Sequence, residues 1–349
     1  MIKSRIMSFT IRKCVFQREL HLLRRSFFNS TVLNGSNNQE ELISESNADQ
    51  QVHGGRKKLI RVAIIGLPNA GKSTLVNKLM HRSVCPTSSK VHTTMHKTEA
   101  IHTEGDTQII FMDTPGLTKS SEMKTYKLSK TFKEDPENSI SKADVVGILQ
   151  DVTNVYTRHK FDKFVLEYLK NRREDTDLLL ILNKVDKLKK KDALLEVTRL
   201  LTNKEDYPTF NDIFMVSALD GDGVDDLRNY LLDSAKEKDW EYEQGTYTDQ
   251  PIEKLIEQTV RAQLMDILPY EMPYKVIINV EDFGVRDDDS IYAAVILDCP
   301  RSNYVTVMLK SNGFKVKCLQ YHVEKDLRHA LRTPVSLRLS VICSKSQHA

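Results

Sequence analysis

This chain of 349 residues contains a glycine-rich loop between an apolar strand and a helix-forming segment. Leu59–Ile65 is an apolar run rich in β-branched residues, which predicts a buried parallel strand. Gly66–Ser73 follows at once and fits the pattern GxxxxGKS, and Thr74–Met80 has a helical pattern. Such a loop turns its backbone N–H groups toward phosphate, and the helix adds its positive end. We therefore expect an α/β domain that binds a nucleoside phosphate.

Each residue type in the loop has a chemical reason. The two glycines let the backbone curl, Lys72 reaches the β- and γ-phosphates, and the Ser73 hydroxyl ligates Mg²⁺. The loop residues predicted to contact the nucleotide are Gly66, Leu67, Pro68, Asn69, Ala70, Gly71, Lys72, Ser73 and Thr74.

Two further segments are predicted to contact the metal and the γ-phosphate. The apolar strand Thr107–Met112 ends in the tetrapeptide DTPG. In it, Asp113 can hold Mg²⁺ through water, and the Gly116 N–H can meet the γ-phosphate. The segment before the preceding strand contains Thr94, which we choose over Thr93 as the threonine that ligates Mg²⁺ in the triphosphate state. The two histidines of that segment are interpreted as solvated loop residues.

A third motif predicts which base the bound nucleotide carries. The apolar run Leu178–Leu182 ends in the tetrapeptide NKVD, in which Asp186 can accept hydrogen bonds from the N1–H and 2-amino groups of guanine. Adenine lacks that pair of donors, so discrimination against it should be large. Asn183 is predicted to contact the base edge and tie loops together, and the stem of Lys184 to pack on the ring.

A fourth strand, Ile213–Val216, completes the pattern. It ends in a tripeptide whose backbone N–H groups can meet guanine O6: Ser217, Ala218 and Leu219. Strands alternate with helical patterns throughout residues 57–236, which predicts a doubly wound parallel sheet with ligand loops at its carboxyl ends, as in Ras-like P-loop GTPases. Residues 237–250 are interpreted as a polar linker.

Hydrolysis needs a group other than the usual glutamine. Leu117 follows the DTPG motif, where Ras-like enzymes place a glutamine that orients water. Leucine cannot do this, so slow intrinsic turnover is expected. The side-chain oxygen of Asn69 can instead help hold a monovalent cation, K⁺, against the phosphates. The alternative is that Asn69 only caps the loop. We assign catalysis to Asn69, Lys72 and Thr94.

The pattern changes after residue 250. An amphipathic helix is predicted at Pro251–Leu268, strands at Tyr274–Val280, Ile291–Leu297 and Val305–Leu309, and a helix at Lys315–Leu331. A last strand is predicted at 335–343. This α+β order is that expected of a KH-type RNA-binding domain, over residues 251–345, which clamps nucleotides with a GxxG turn.

The turn departs from the GxxG pattern. It reads KSNG, so Lys310 stands where the first glycine belongs and offers a charge in its place. Residues 300–349 carry nine basic and two acidic residues, whereas residues 251–299 carry four basic and ten acidic residues. A basic face is typical of a nucleic-acid binder. The alternative is a degenerate KH fold that only packs against the first domain. The predicted RNA contacts are Lys310, Ser311, Asn312, Gly313, Lys315 and Lys317.

The N-terminal 30 residues differ from the rest in charge. They hold seven basic residues and one acidic residue, with apolar residues at roughly helical intervals. This composition is typical of a mitochondrial transit peptide; the alternative is a basic arm, for example one that binds RNA. Residues 31–56 are interpreted as a disordered linker. No apolar run approaches the ~20 residues of a transmembrane helix, and the scattered cysteines argue against a disulfide framework.

Together, the tracts GLPNAGKST, HTTMHK, IHTEG, DTPGL, NKVD and SAL resemble the Era family of GTPases, over about 290 residues. The resemblance implies K⁺ dependence, and a KH domain that binds the 3′ region of small-subunit rRNA. With the basic leader, it implies a GTP-hydrolysing assembly factor of the small ribosomal subunit in the mitochondrial matrix. We expect it to be monomeric when free and peripherally associated with the inner membrane. The alternative is a GTP-dependent module that docks on protein.

Overall fold

The computed structural model describes residues 56–88, 90, 98–113, 131–189 and 192–343, and at Asp113 and residues 131–136 it describes the backbone alone. These residues belong to one compact unit, 54–349. The expected transit peptide at 1–30 and the linker at 31–56, apart from Arg56, lie outside the described residues. None of the described helices is both long and apolar enough to cross a bilayer.

A mostly parallel sheet forms the N-terminal part. Its elements are β1 (Lys58–Gly66), α1 (Lys72–Met80), β2 (Thr98–Glu104), β3 (Thr107–Asp113), α2 (Thr131–Lys142), β4 (Val145–Asp151), α3 (Lys163–Tyr168), β5 (Asp177–Asn183), α4 (Asp192–Thr202), β6 (Asp212–Val216), α5 (Val224–Asp233) and β7 (Lys236–Glu237). The strand order is β2-β3-β1-β4-β5-β6, and β7 pairs with β1. β2 and β7 are antiparallel to their neighbours.

Helices cover both faces of this sheet. Ile64 lies in one apolar cluster and Ala63 in another, because successive side chains of a strand point to opposite faces. Residues of α1 and α5 complete the first cluster, and residues of α2, α3 and α4 the second. The predicted doubly wound fold is confirmed. The chain order reverses on either side of β1, so the crevice for a ligand opens at the carboxyl end of that strand.

A smaller α+β part follows. Its elements are α6 (Ile252–Ile267), α7 (Met272–Lys275), β8 (Ile277–Val285), β9 (Ile291–Asp298), α8 (Ser302–Leu331) and β10 (Val335–Ile342). The sheet order is β10-β9-β8, with β10 parallel and β8 antiparallel to β9. Residues of α6 and α8 share one apolar core with the strands, as Leu255, Val295 and Leu319 do. This arrangement is consistent with the predicted KH-type fold.

Two of the predicted strands need correction. Val305–Leu309 is not a strand, because these residues lie in α8. Tyr304 and Met308 are both buried four residues apart, so core packing along one helix face overrides the strand preference of the intervening β-branched residues. The strand predicted at Tyr274–Val280 starts later, at Ile277, since Tyr274 and Lys275 belong to the short helix α7, and it continues to Val285.

A sharp turn interrupts α8. Lys310 is extended (φ −53°, ψ 146°), and Ser311, Asn312 and Gly313 all have left-handed backbone, with φ of 58°, 54° and 71°. Two consecutive non-glycine residues in that region are strained, and such strain is retained mainly where a function needs it. Lys310, Ser311 and Asn312 are exposed, so the turn is accessible to solvent between two helical segments.

Residues 237–250, which we call the strap, lie against the first sheet. Lys238 N–H donates to the Lys57 carbonyl at 3.0 Å, and Ile101 N–H donates to the Tyr247 carbonyl at 3.0 Å. The buried Gln108 accepts from the backbone N–H of Glu241 and of Tyr242, each at 3.1 Å, and donates to the Tyr242 carbonyl at 2.9 Å. The strap thus joins the two sheets as a hydrogen-bonded segment.

Candidate functional site

The loop between β1 and α1 has the geometry of a phosphate cradle. A Cβ on Gly66 would lie 2.6 Å from the carbonyl oxygen of Leu149 on β4, so only glycine fits where the two strands converge. Gly71 has φ 102° and immediately precedes α1, and a Cβ there would also overlap the side-chain amide of Asn183. The remaining loop residues lie between these two fixed points.

The ammonium of Lys72 lies inside this loop. Lys72 is buried, and its Nζ donates to the carbonyls of Gly66 at 3.3 Å and Leu67 at 3.2 Å. Ser73 and Thr74, half-buried, follow in the first turn of the helix. A buried cation next to a helix N-terminus is suited to an anion. The donor set of the loop therefore fits the phosphates of a nucleotide.

Asn183 joins three loops. It lies at the end of β5, is buried, and donates from Nδ2 to the Ala70 carbonyl at 2.8 Å. Its Oδ1 accepts from the Ala218 N–H at 3.0 Å. The amide is thus engaged at both ends in tying loops together, and its contact with a base edge stays a prediction.

Asp151 is a residue that the sequence analysis missed. Lys184 Nζ pairs with Asp151 Oδ2 at 2.6 Å and donates to the Asn69 carbonyl at 2.7 Å. Partial burial acts to raise the pKa of Asp151, but hydrogen bonds from Lys184 and Thr153 outweigh it and hold the pKa below its ordinary value. Its only sequence signal was an acidic residue at the end of a predicted parallel strand, and the register that places it opposite Asn183 comes from the structure.

The predicted guanine contacts lie around this junction. Asp186 is exposed in a short 3₁₀ turn, Val185–Lys187, that follows the left-handed Lys184. Ser217 N–H donates to the Asp222 carbonyl at 2.9 Å, and Ala218 N–H is used by Asn183. Leu219 is exposed, and the contact of the three amides with guanine O6 stays a prediction.

Part of the predicted metal site lies outside the description. Thr94, Gly116 and Leu117 are not among the described residues. Asp113 ends β3 beside β1, where its backbone pairs in register with Ile64, and its side chain is not described. The Mg²⁺ contacts of Ser73, Thr94 and Asp113 therefore stay predictions.

The second candidate site is the turn within α8. Lys310, Ser311 and Asn312 are exposed there, and Gly313 is half-buried. A Cβ on Gly313 would meet no atom within 4 Å, so φ of 71° is the reason for glycine. Lys317 is exposed and Lys315 half-buried in the helical segment beyond. The structure therefore brings all the predicted RNA contacts to one turn and the start of one helix.

Comparison with known proteins bears on both sites. Residues 61–184 match the family model described as a 50S ribosome-binding GTPase. The mitochondrial GTPase Era of Salmo salar is 33% identical over 348 residues, which covers 81% of this chain and 76% of that protein. The GTPase Era of Rhizobium meliloti is 31% identical over 280 residues, covering 80% of this chain and 86% of that protein.

Two solved structures resemble the whole described arrangement. An Era variant from Aquifex aeolicus bound to GDP and AlF₄⁻ matches with a TM-score of 0.68 and 25% identity, over 82% of this chain and 94% of that one. A crystal structure of Era with MgGDPNP and nucleotides 1506–1542 of 16S ribosomal RNA matches with a TM-score of 0.67 and 26% identity. It likewise covers 82% of this chain and 94% of that one.

Proposed function

The chain belongs to the Era family of GTPases, and from this premise we propose that it is an assembly factor of the mitochondrial small ribosomal subunit that binds the 3′ region of small-subunit rRNA. The observation that carries the proposal is the strained, lysine-bearing turn of the KH-type part, on the same chain as a nucleotide cradle. It is supported by the match to the Era structure that contains MgGDPNP and a 16S rRNA fragment.

The altered turn is compatible with RNA binding. The first glycine of a GxxG turn allows close approach to a phosphate, and Lys310 supplies a charge at that place. Ser311 and Asn312 adopt the left-handed backbone without glycine, so the turn keeps a tight shape despite the substitution. An exposed lysine on a tight turn contacts phosphate through charge.

Crosslinking in organelles tests the proposal. The tagged full chain should recover the 3′ region of mitochondrial small-subunit rRNA at nucleotide resolution, and Lys310→Glu or Lys317→Glu should reduce recovery. Lys275→Glu is the matched control, because it makes the same charge change on an exposed lysine in the acidic half of the domain. Recovery of unrelated RNA, or equal recovery in all variants, would contradict the proposal.

One observation favours a second candidate function. Without the first glycine, the KH-type part has lost one of the two small residues that let RNA approach. A GTP-dependent module that docks on protein through this part is therefore the alternative. It predicts association with the ribosomal subunit that survives removal of the RNA contacts.

For hydrolysis we propose that three cations act at the phosphates: the Lys72 ammonium, Mg²⁺ and K⁺. Lys72 and the helix N-terminus would hold the phosphates, and Ser73, Thr94 and Asp113 would hold Mg²⁺, which when bound supplies positive charge at the phosphates. Gly116 contacts the γ-phosphate. Asn69 is exposed, with a left-handed backbone (φ 60°), and its side-chain oxygen helps hold K⁺.

The K⁺ role predicts a rate difference between salts. GTP hydrolysis should be faster in K⁺ than in Na⁺ at equal ionic strength, and Asn69→Ala should abolish the difference. Asn171→Ala, at an exposed asparagine after α3, is the control and should keep it. Equal wild-type rates in the two salts would contradict the K⁺ role and would favour the alternative that Asn69 only caps the loop.

The location and organisation complete the proposal. Mitochondrial relatives and the basic leader at residues 1–30 support the mitochondrion, and we place the protein in its matrix. We propose domains at 57–236 and 251–345, a monomer when free, and peripheral association with the inner membrane. Import of a reporter fused to residues 1–56 tests the leader, and failure of import would contradict it.

A further inference from the structure

The second half of α8 has two aromatic side chains that the core does not use. Phe314 is 64% exposed and Tyr321 is 62% exposed, although both lie on a helix that packs against the sheet. The packing residues of this segment are aliphatic, and Leu319, Val323 and Leu327 are fully buried. Both rings are therefore outside the core and accessible to a ligand, and whether they form a binding surface depends on their neighbours on the same helix face.

Helical geometry puts these rings on one line with basic side chains. At 3.6 residues per turn, positions 314, 317, 321 and 325 share the face opposite the buried one. We call this set the aromatic–basic stripe: Phe314, Lys317, Tyr321 and Lys325, all exposed. Arg328 continues the same face, and its nearest acidic neighbour, Glu324, is occupied by Arg328 and by the backbone N–H of Leu337.

The stripe begins at the strained turn. Phe314 directly follows Gly313, and Leu309, on the other side of the turn, is 48% exposed. At 1.5 Å per residue the stripe runs about 16 Å away from the turn, and its two rings lie about 10 Å apart along the axis. That spacing suits bases of a splayed single strand that are not adjacent, with a phosphate at the lysine between them. Alternating rings and cations are the chemistry that binds single-stranded nucleic acid.

Resting on the proposed RNA-binding function, we propose that the aromatic–basic stripe is a second RNA-contact surface, on which single-stranded bases stack on Phe314 and Tyr321 between phosphates held by Lys317 and Lys325. Tyr321 is braced for this role by an edge contact with His322, with ring centroids 5.4 Å apart. The His322 ring is in turn hydrogen-bonded to the Cys318 carbonyl at 2.7 Å. A braced ring loses less side-chain freedom when a base stacks on it.

The test measures the affinity of the full chain for a single-stranded RNA from the 3′ region of mitochondrial small-subunit rRNA, the target in the proposed function, by fluorescence anisotropy at fixed salt. Phe314→Ala and Tyr321→Ala should each raise the Kd about tenfold, as loss of one stacked base does. Phe314→Trp and Tyr321→Phe should retain affinity. Tyr270→Ala is the matched control, because Tyr270 is an 89% exposed aromatic residue outside the stripe, and it should bind as wild type does.

Abasic RNA separates stacking from other effects. For one nucleotide, removal of the base should weaken wild type about tenfold and leave Phe314→Ala unchanged, because both remove the same contact. If Phe314→Ala and Tyr321→Ala bind as Tyr270→Ala does while Lys310→Glu binds weakly, the stripe is wrong and the proposed function stands. If the wild-type chain does not bind the RNA at all, both are wrong. The stacking role would also be wrong if an alanine variant bound intact RNA weakly and bound every abasic RNA more weakly still, because the lost contact would then not be one with a base.

Discussion

Asp151 is joined to the phosphate loop through Lys184. Lys184 has a left-handed backbone and reaches both Asp151 and the carbonyl of Asn69 in the phosphate loop. Its ammonium therefore links the last residue of β4 to the phosphate loop that follows β1. Because the stem of Lys184 is held by this bridge, the residue has a fixed place next to the predicted guanine contacts.

Asp151→Asn should loosen this bridge. The amide keeps the shape but removes the charge that holds the half-buried ammonium, so we expect GTP affinity to fall about tenfold. Binding of a fluorescent GTP analogue by the full chain measures this. Asp206→Asn, at an exposed aspartate, is the control and should bind as wild type does. Equal affinity of both variants would contradict a role for the pair in nucleotide binding.

The same pair predicts a pH dependence of stability. The pKa of Asp151 is lowered in the folded chain, so its contribution to the free energy of unfolding is present above the unfolded pKa of about 4. It is lost as the pH falls through the lower folded value. The difference in unfolding free energy between wild type and Asp151→Asn should therefore be constant near neutral pH and shrink below about pH 4. If the difference in unfolding free energy instead grows as the pH falls, the pKa of Asp151 is not lowered in the folded chain.

Sequence reasoning at the residue scale succeeds where a motif has a fixed shape. The glycines of the phosphate loop and the loop-tying role of Asn183 follow from residue type and spacing. Asp151 could not be predicted in this way, because a single acidic residue after a strand has no partner until the parallel register puts it opposite Asn183. The hydrogen bond from the Ala218 N–H to Asn183 could not be predicted either, since it depends on how two loops pack against each other.

At the scale of elements, the strap is the largest addition to the sequence analysis. Composition alone indicated a polar linker, yet its backbone continues the hydrogen bonding of the first sheet. Tyr242 donates from its hydroxyl to Glu99 at 2.8 Å, and burial together with that carboxylate raises the pKa of the phenol. Polar composition is typical of free linkers and of docked segments alike, because a strap that bonds through its backbone needs few apolar side chains.

The three hydrogen bonds of Gln108 to the strap lead to a prediction of how strongly they stabilise it. Gln108→Ala should leave two strap amides and one carbonyl without their side-chain partner, which we expect to cost about 2–3 kcal/mol of the free energy of unfolding. Urea unfolding measures the cost. Trp240 is the one tryptophan of the chain and donates from its indole N–H to the Asp106 carbonyl at 3.0 Å, so its emission should shift to the red when the strap loosens.

Gln244→Ala is the control for this prediction. It makes the same substitution on the strap itself, at an exposed side chain, and should change neither stability nor emission. If Gln108→Ala behaves in the same way, the hydrogen bonds of Gln108 do not hold the strap, and the prediction is wrong.

In the whole molecule, the overall charge of +3 hides a polarised C-terminal part, residues 251–349. The acidic residues belong to the stretch that contains α6, β8 and β9, and the basic residues to the stretch with α8 and β10. The turn and the aromatic–basic stripe both lie in the basic stretch. Sequence order predicted this polarity, because the elements of each sign are consecutive. The stripe lies in a helix that the sequence also predicted, but the exposure of Phe314 and Tyr321 could be read only from the structure.

That polarity leads to the prediction that separates the two candidate functions. If the C-terminal part binds single-stranded RNA through the phosphates near Lys310, Lys315 and Lys317, log K should fall linearly with log salt, with a slope of about −2 for three contacts at −0.7 each. Lys317→Glu should make that slope shallower by at least one contact, and GTP affinity should not change. A module that docks on protein has no condensed counterions to release from RNA. Retention on the ribosomal subunit with a shallow slope, unaffected by Lys317→Glu, would therefore favour the docking module over the RNA-binding assembly factor.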